Sequence, residues 1–490
     1  KEGFHYNTME QLNNSLVGKR AARPVKVLQF GGGNFLRAFV NWMVDILNEE
    51  TDFNGAVSIV KPTSGGDYQE LKAQDGLFTV LLDGFANGKV VEEKRVVKCV
   101  QQVIHAYNEW DTYLKLAESE ELRFVVSNTT EAGIKFNPED RLEDRPAGEF
   151  PAKLTQWLHH RFEFFNGATD KGCYMLPCEL IENNGQALKE AILAYAAHWN
   201  LGEAFKSWIL NANYFCSTLV DRIVSGYPKE KAKTIEAELG YKDDMLVSGE
   251  YYHSWIIQKD GNVSGELPFA KTGLNVKFVD DAAPYREMKV RILNGAHTAM
   301  VPVGYLSGLR LVKDVMNDSE VSAFVEDLLM EEIIITLDFP DDVRKTYANE
   351  ILDRFRNPRI EHQLMSISLN SVAKFVARLQ ATLKDYYNIT GEVPPRITLG
   401  LAALIRFYKG EWKGEKIELK DDAEAINILN EAWAVFDKGM DDYKALAVSI
   451  LSEQKLWGED LTSIPKLAEK VAGYLEAIDM KGIEHILKDI

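Results

Sequence analysis

Val25-Lys26-Val27-Leu28-Gln29-Phe30-Gly31-Gly32-Gly33-Asn34-Phe35 decides how this chain is read. Six mostly apolar residues form a short strand, which runs straight into three glycines. From Phe35 the apolar residues change to helical spacing, with Phe35, Phe39, Met43 and Ile46 on one stripe. Strand, glycines and helix in this order is the layout of a dinucleotide phosphate site. The glycines admit backbone close to a pyrophosphate, and the helix start offers free N–H groups at the positive end of its dipole. The motif is GxGxxxR, ending at Arg37. Taken alone it is as common in plain strand-to-helix connections as in nucleotide sites.

Working outward, residues 1–23 read as a polar lead-in closed by Pro24, and Gly55 to Val60 as a second strand. The second strand of a nucleotide fold normally ends near a carboxylate for the adenosine ribose. Here it ends at Lys61, and the first carboxylate is Asp67. The residues therefore leave NAD and NADP both open. Asn87-Gly88 marks a hairpin. Leu122 to Val126 and Cys173 to Cys178 are buried-strand candidates, each followed by a polar loop that includes Asn128, Thr129 and Glu131 in the first case. Asp221 and Arg222 sit in an apolar frame, where a structural ion pair is the commoner expectation. Asn275 to Val279 is the last clear strand. Beyond Pro284 the pattern turns helical: Val321 to Ile335, Val343 to Phe355, His362 to Leu383 and Thr398 to Phe407. The expected division is residues 20–283 and residues 284–490.

The second region opens on Lys289-Val290-Arg291-Ile292-Leu293-Asn294-Gly295-Ala296-His297. At helical spacing Lys289, Asn294 and His297 fall within an arc of roughly 140°. Met288, Ile292, Ala296 and Ala299 form the opposite, apolar side. Beside a cleft the Lys289 side chain can trade protons with a substrate, as ammonium donor or amine base. Asn294 can donate to a developing alkoxide, and His297 can orient a hydroxyl.

The 490 residues carry a net charge of −18, which argues against a nucleic-acid or anionic-membrane partner. Four cysteines (Cys99, Cys173, Cys178 and Cys216) form no CxxC pair and no evident metal-ligand set with histidine. Reduced thiols in a cytoplasmic protein are the simple account. No apolar run is long enough for a bilayer and no signal-peptide pattern stands at the N-terminus.

Gly31-x-Gly33-x-Phe35-x-Arg37, Gln74-Asp75-Gly76-Leu77, Val220-Asp221-Arg222-Ile223 and Lys289-x4-Asn294-x2-His297 occur in the order found in the long-chain polyol, or mannitol, dehydrogenases, and the chain resembles that family over nearly its whole length. The resemblance implies an α/β protein, a Rossmann-like N-terminal domain followed by a mostly α-helical C-terminal domain, with the active site in the cleft between them. It implies metal-independent hydride transfer between NAD and a secondary alcohol or ketone. Lys289 matches the catalytic lysine, Asn294 an oxyanion-stabilising asparagine and His297 a substrate-orienting histidine. Gly31, Gly32, Gly33, Asn34, Phe35, Arg37, Asn128 and Thr129 are the expected cofactor residues. Asp221 and Lys374 match substrate residues, with Glu131, Arg359 and His362 as further candidates.

Three departures matter. Cys178-Glu179-Leu180 stands where mannitol-type members have Cys-Asp-Asn, Ser366 stands where they have arginine, and Arg286 where many have an acid. These differences favour a sugar acid, a keto-hexuronate, over a simple polyol. The alternatives are another polyol or sugar-acid dehydrogenase of the family and, from a different class, a non-catalytic dinucleotide-binding sensor. A monomer or homodimer without further partners is expected.

Overall fold

The computed structural model describes residues 8–130, 132–440 and 442–490. They divide into two compact units, one running to Asp83 and resuming over Val91–Ala283, the other taking Gly84–Val90 and Pro284–Ile490. Among the described residues no helix is long and apolar enough to cross a membrane.

The first unit is built on six parallel strands: β1 Val25–Phe30, β2 Ala56–Lys61, β3 Val100–His105, β4 Phe124–Ser127, β5 Tyr174–Pro177 and β6 Tyr214–Phe215. Their order across the sheet is β3-β2-β1-β4-β5-β6, the doubly wound dinucleotide-binding order. Successive residues of a strand point to opposite faces, and the core follows suit. Val27, Val126 and Leu176 enter one apolar cluster, while Leu28, Val125 and Met175 enter the other. Helices Phe150–Phe164, Asn184–His198 and Glu203–Ala212 bury the second face.

The chain leaves β1 toward β2 on one side and returns beyond β1 to β4 on the other. That reversal opens a crevice at the carboxyl ends of β1 and β4. Phe30 pairs with Ser127, so Gly31 and Asn128 leave neighbouring strands side by side. Asn87 and Gly88, both at positive φ, turn the hairpin between Phe78–Ala86 and Lys89–Val97, as their sequence predicts.

The second unit is helical. Its central helix, residues 283–306, is not uniform: Ala283–Lys289 and Gly295–Leu306 are α, and Val290–Asn294 between them is a π turn. Helix Pro395–Phe407 packs along it, with Gly400 admitting Ala299 at van der Waals distance. The buried Glu332 carboxylate accepts the Arg396 and Ile397 amides at 2.9–3.0 Å and so caps that helix. The single helix expected from His362 to Leu383 is broken. Asn370 takes a left-handed φ of 55°, separating Leu364–Ile367 from Ser371–Phe375, and a further π turn follows at Val376–Gln380. Asn tolerates that conformation better than other non-glycine residues, because its short amide bonds locally.

Candidate active site

Gly31 continues the sheet by donating to the Val60 carbonyl at 2.9 Å, then turns at φ 103°. Gly33 is extended, caps the helix without a side chain, and is exposed together with Asn34. A Cβ at Gly31 or Gly33 would meet nothing within 4 Å, so the first-turn N–H groups face open space. That is the cradle a pyrophosphate needs. Gly32 differs, because its N–H already donates to the Tyr68 hydroxyl at 3.0 Å.

Arg37 is 3% exposed. It donates to the Gly32 and Met245 carbonyls and to Asn34 Oδ1, at 3.0, 2.6 and 2.8 Å. Burial lowers its pKa to about 10. Phe35 stacks on Phe39 with ring centroids 4.9 Å apart. Both side chains therefore support the turn from behind, while its backbone presents the open face.

On the next strand, the Thr129 amide and hydroxyl donate to Glu179 Oε1 at 3.0 and 3.1 Å. Glu179 is 2% exposed and burial raises its pKa. This carboxylate ties the loops after β4 and β5 together. Asn128 is half-buried in the same loop, and Glu131 lies outside the described residues. Leu180, where the polyol-type asparagine is missing, is exposed. Lys61 at the end of β2 is buried, with Nζ bonded to Thr63 Oγ1 at 2.6 Å and lying over the Tyr68 ring.

Among the described residues the expected Asp221–Arg222 ion pair is not seen. Adjacent strand residues point to opposite sides, and Arg222 donates instead to the carbonyls of Tyr252, Ala38 and Tyr251 while covering the Trp42 ring. Asp221 ends its strand opposite Ser254 and is buried.

In the helical unit Met288, Ile292, Ala296 and Ala299 are buried as their spacing predicts, and Lys289, Asn294 and His297 are half-buried. The π turn changes their phase. In an α-helix, positions five apart are offset by roughly 140°. A turn bonded i to i+5 removes much of that offset and brings Asn294 toward the Lys289 stripe, and His297 follows within one α turn. Among the described residues the Asn294 amide has no hydrogen-bond partner.

The His297 ring packs on Phe355 and His362, with centroids 4.7 and 5.3 Å away. Burial, together with the positive charge of His362, Arg354, Arg378 and Lys374, drives its pKa well below the ordinary histidine value. Its imidazole is neutral near pH 7, ready to bond a hydroxyl.

Lys374 Nζ donates to the Ile367 carbonyl at 2.7 Å, and Arg378 Nη1 to Thr298 Oγ1 at 3.2 Å. Asp385, the carboxylate nearest these cations in sequence, pairs with Arg291, and Asp353 and Glu361 pair with Arg356 and Lys313. Arg359 is exposed on the turn after Asn357, to whose Oδ1 its amide donates. Arg354 bears on His297 from a distant helix and no local sequence signal marks it, whereas Arg378 is marked by its spacing of four residues from Lys374.

Residues 25–271 match the mannitol dehydrogenase Rossmann domain, and residues 281–479 the mannitol dehydrogenase C-terminal domain. An altronate oxidoreductase of Yersinia enterocolitica (serotype O:8 / biotype 1B) is 46% identical over 476 residues, 97% of this chain and 98% of the relative. One from Bacillus subtilis (strain 168) is 44% identical over 480 residues, 98% of each. Two solved structures share the fold at lower identity. A D-sorbitol dehydrogenase in substrate-free form is 23% identical with TM-score 0.79, covering 97% of this chain and 100% of that one. The Pseudomonas fluorescens mannitol 2-dehydrogenase, solved as a ternary complex with NAD and D-mannitol, is 22% identical with TM-score 0.63, covering 98% and 96%. Matched over both of its units, the chain belongs to the mannitol dehydrogenase family.

Proposed function

We propose that the protein reduces D-tagaturonate to D-altronate with NADH, reversibly, as a step in hexuronate breakdown in the cytoplasm. The observation that carries this reading is the 44–46% identity, over nearly full length, to altronate oxidoreductases. The cations around His297 support an acidic substrate. Four free, buried cysteines accord with a reducing compartment. The substrate is a small molecule, and the protein acts as a monomer or homodimer.

The open glycine turn, Asn34, Asn128 and Thr129 would hold the dinucleotide. Lys61, a cation at the end of β2 that would favour a 2′-phosphate if free, is buried and bonded to Thr63, which favours NAD. The bound nicotinamide supplies the hydride. Asn294 donates its amide N–H to the ketone oxygen as negative charge grows there. Lys289, as ammonium, delivers the proton to that oxygen, and in the reverse direction it accepts one. Positioned proton transfer of this kind is worth about 10²–10⁴-fold in rate. Neutral His297 bonds an adjacent hydroxyl and fixes which carbon faces the hydride donor. Asp221 orients a further hydroxyl. Lys374 contributes to holding the carboxylate, with Arg359 and His362 as reserves, and Glu131 is a further substrate candidate.

The test is turnover with NADH across D-tagaturonate, D-fructuronate and D-fructose. Tagaturonate is expected to give the highest kcat/KM. Preference for fructuronate or fructose would reassign the substrate within the family. Tight NADH binding with no turnover on any of them would make the chain a cofactor sensor.

A further inference from the structure

We propose that Arg378 is the residue that grips the substrate carboxylate, through two guanidinium N–H groups, with Lys374 one helical turn before it as the second charge. The inference rests on the sugar-acid reading and names the specificity residue within it.

Lys374 and Arg378 lie on either side of the start of the π turn Val376–Gln380, four residues apart and both half-buried. Residues so spaced project on one side of a helix. That side meets the His297 helix. A Cβ on Gly295 would stand 3.3 Å from Leu379 Cδ2 and 3.4 Å from the Arg378 carbonyl, so the glycine admits this segment closely. Arg378 Nη1 donates to Thr298, the residue after His297. One edge of the guanidinium is thereby fixed, and its other donors remain available.

Among the described residues neither Arg378 nor Lys374 makes an ion pair with a carboxylate. The acid nearest in influence, Asp421, is occupied by the Tyr408 hydroxyl at 2.5 Å and the Asp422 amide at 2.6 Å. Burial lowers the pKa of Arg378, and burial together with Arg378 lowers that of Lys374. Two unneutralised, half-buried cations side by side are unfavourable in a protein of net charge −18 that has acids to spare. An anion seated between them and His297 relieves that cost. A guanidinium offers the planar fork that matches a carboxylate, and an ammonium already bonded to the Ile367 carbonyl does not.

The experiment compares wild type, Arg378→Met and Arg378→Lys on the keto-hexuronate and on an uncharged ketose of equal length, at saturating NADH. Arg378→Met should raise KM for the keto-hexuronate by at least about tenfold and change the ketose KM by less than about twofold. In parallel, D-altronate is titrated calorimetrically into the NADH-loaded protein, a pairing that cannot react. Its affinity should fall by a similar factor, with NADH affinity unchanged. Arg378→Lys keeps the charge and loses the fork, so it should fall between the two. Should Arg378→Met not fold, the Lys variant decides, since a keto-hexuronate to ketose KM ratio equal to wild type overturns the proposal. Equal losses on charged and uncharged substrates overturn it as well. Absence of wild-type turnover on any keto-hexuronate would instead overturn the functional reading, and altronate titration would then still test the carboxylate seat.

Discussion

Alanine placed at each of the three glycines after β1 should separate folding from cofactor binding. At Gly31 the backbone sits at φ 103°, where any side chain is strained, so Gly31→Ala should cost about 1–3 kcal/mol of stability. At Gly32 the new methyl would lie 3.2 Å from Ile59 Cγ2 and 3.4 Å from the Tyr68 ring. Ile59 is fully buried, so a cost of about 1 kcal/mol is expected from crowding. At Gly33 the backbone is ordinary, with φ −70° and ψ 173°, and the methyl meets nothing within 4 Å. Gly33→Ala should therefore leave stability unchanged or raise it by up to about 1 kcal/mol, through a less flexible unfolded chain. The same methyl occupies the space through which a pyrophosphate reaches the first-turn N–H groups. NADH affinity should drop at least about tenfold, about 1.4 kcal/mol. Thermal unfolding and NADH fluorescence titration on the same samples measure both quantities. A Gly33→Ala protein that binds NADH like wild type would refute the placement of the cofactor on this open face.

Lys289→Ala should lower turnover by about two to four decades with NADH binding nearly intact, measured by steady-state kinetics beside NADH titration; near-normal turnover would remove it as proton donor. NADH should be preferred over NADPH, because Lys61 is buried and bonded to Thr63; a kcat/KM ratio of about ten or more toward NADPH would reverse the assignment. His253 is held at a pKa of about 3, chiefly by burial and then by Arg222, and its Nε2 accepts the Asn275 amide at 2.9 Å. The unfolded chain takes up this proton near pH 6.5 and the folded one refuses it until about 3, so stability falls as pH falls across that window, by up to about 1.4 kcal/mol per unit. Denaturant unfolding at pH 7, 6 and 5 should show a shallower loss in His253→Gln than in wild type; equal slopes would assign the loss elsewhere.

The strand, glycine turn and helix of residues 25–50 were legible because each rests on local chemistry: an apolar run, residues that permit a turn, and a periodic stripe. The same holds for the Asn87-Gly88 hairpin and the buried face of Met288, Ile292, Ala296 and Ala299. Val100–His105 was missed, since its sequence reads Val-Gln-Gln-Val-Ile-His and its place at the edge of the sheet needs no continuous apolar run. The break at Asn370 left a faint trace, an Asn-Ser step inside an otherwise periodic segment. The partners of Arg222, and the convergence of Arg354 and Arg378 on His297, join residues that tertiary packing alone brings together.

The π turns at Arg37–Asn41, Val290–Asn294 and Val376–Gln380 carry a consequence for how this chain tolerates change in length. Each holds one residue more than an α turn would, so each behaves as an insertion that the helix has absorbed. Deleting a single residue there, for example Leu293, would let the ladder close into regular α-helix without severing it. What lies beyond would then keep nearly its phase, whereas forcing the turn into regular α-helix at unchanged length would swing everything beyond by about 100° relative to what precedes it. A redesign for helical regularity would thus make tidier helices and move Asn294 off the Lys289 stripe, so that the protein's irregular turns are the last places where it should be idealised.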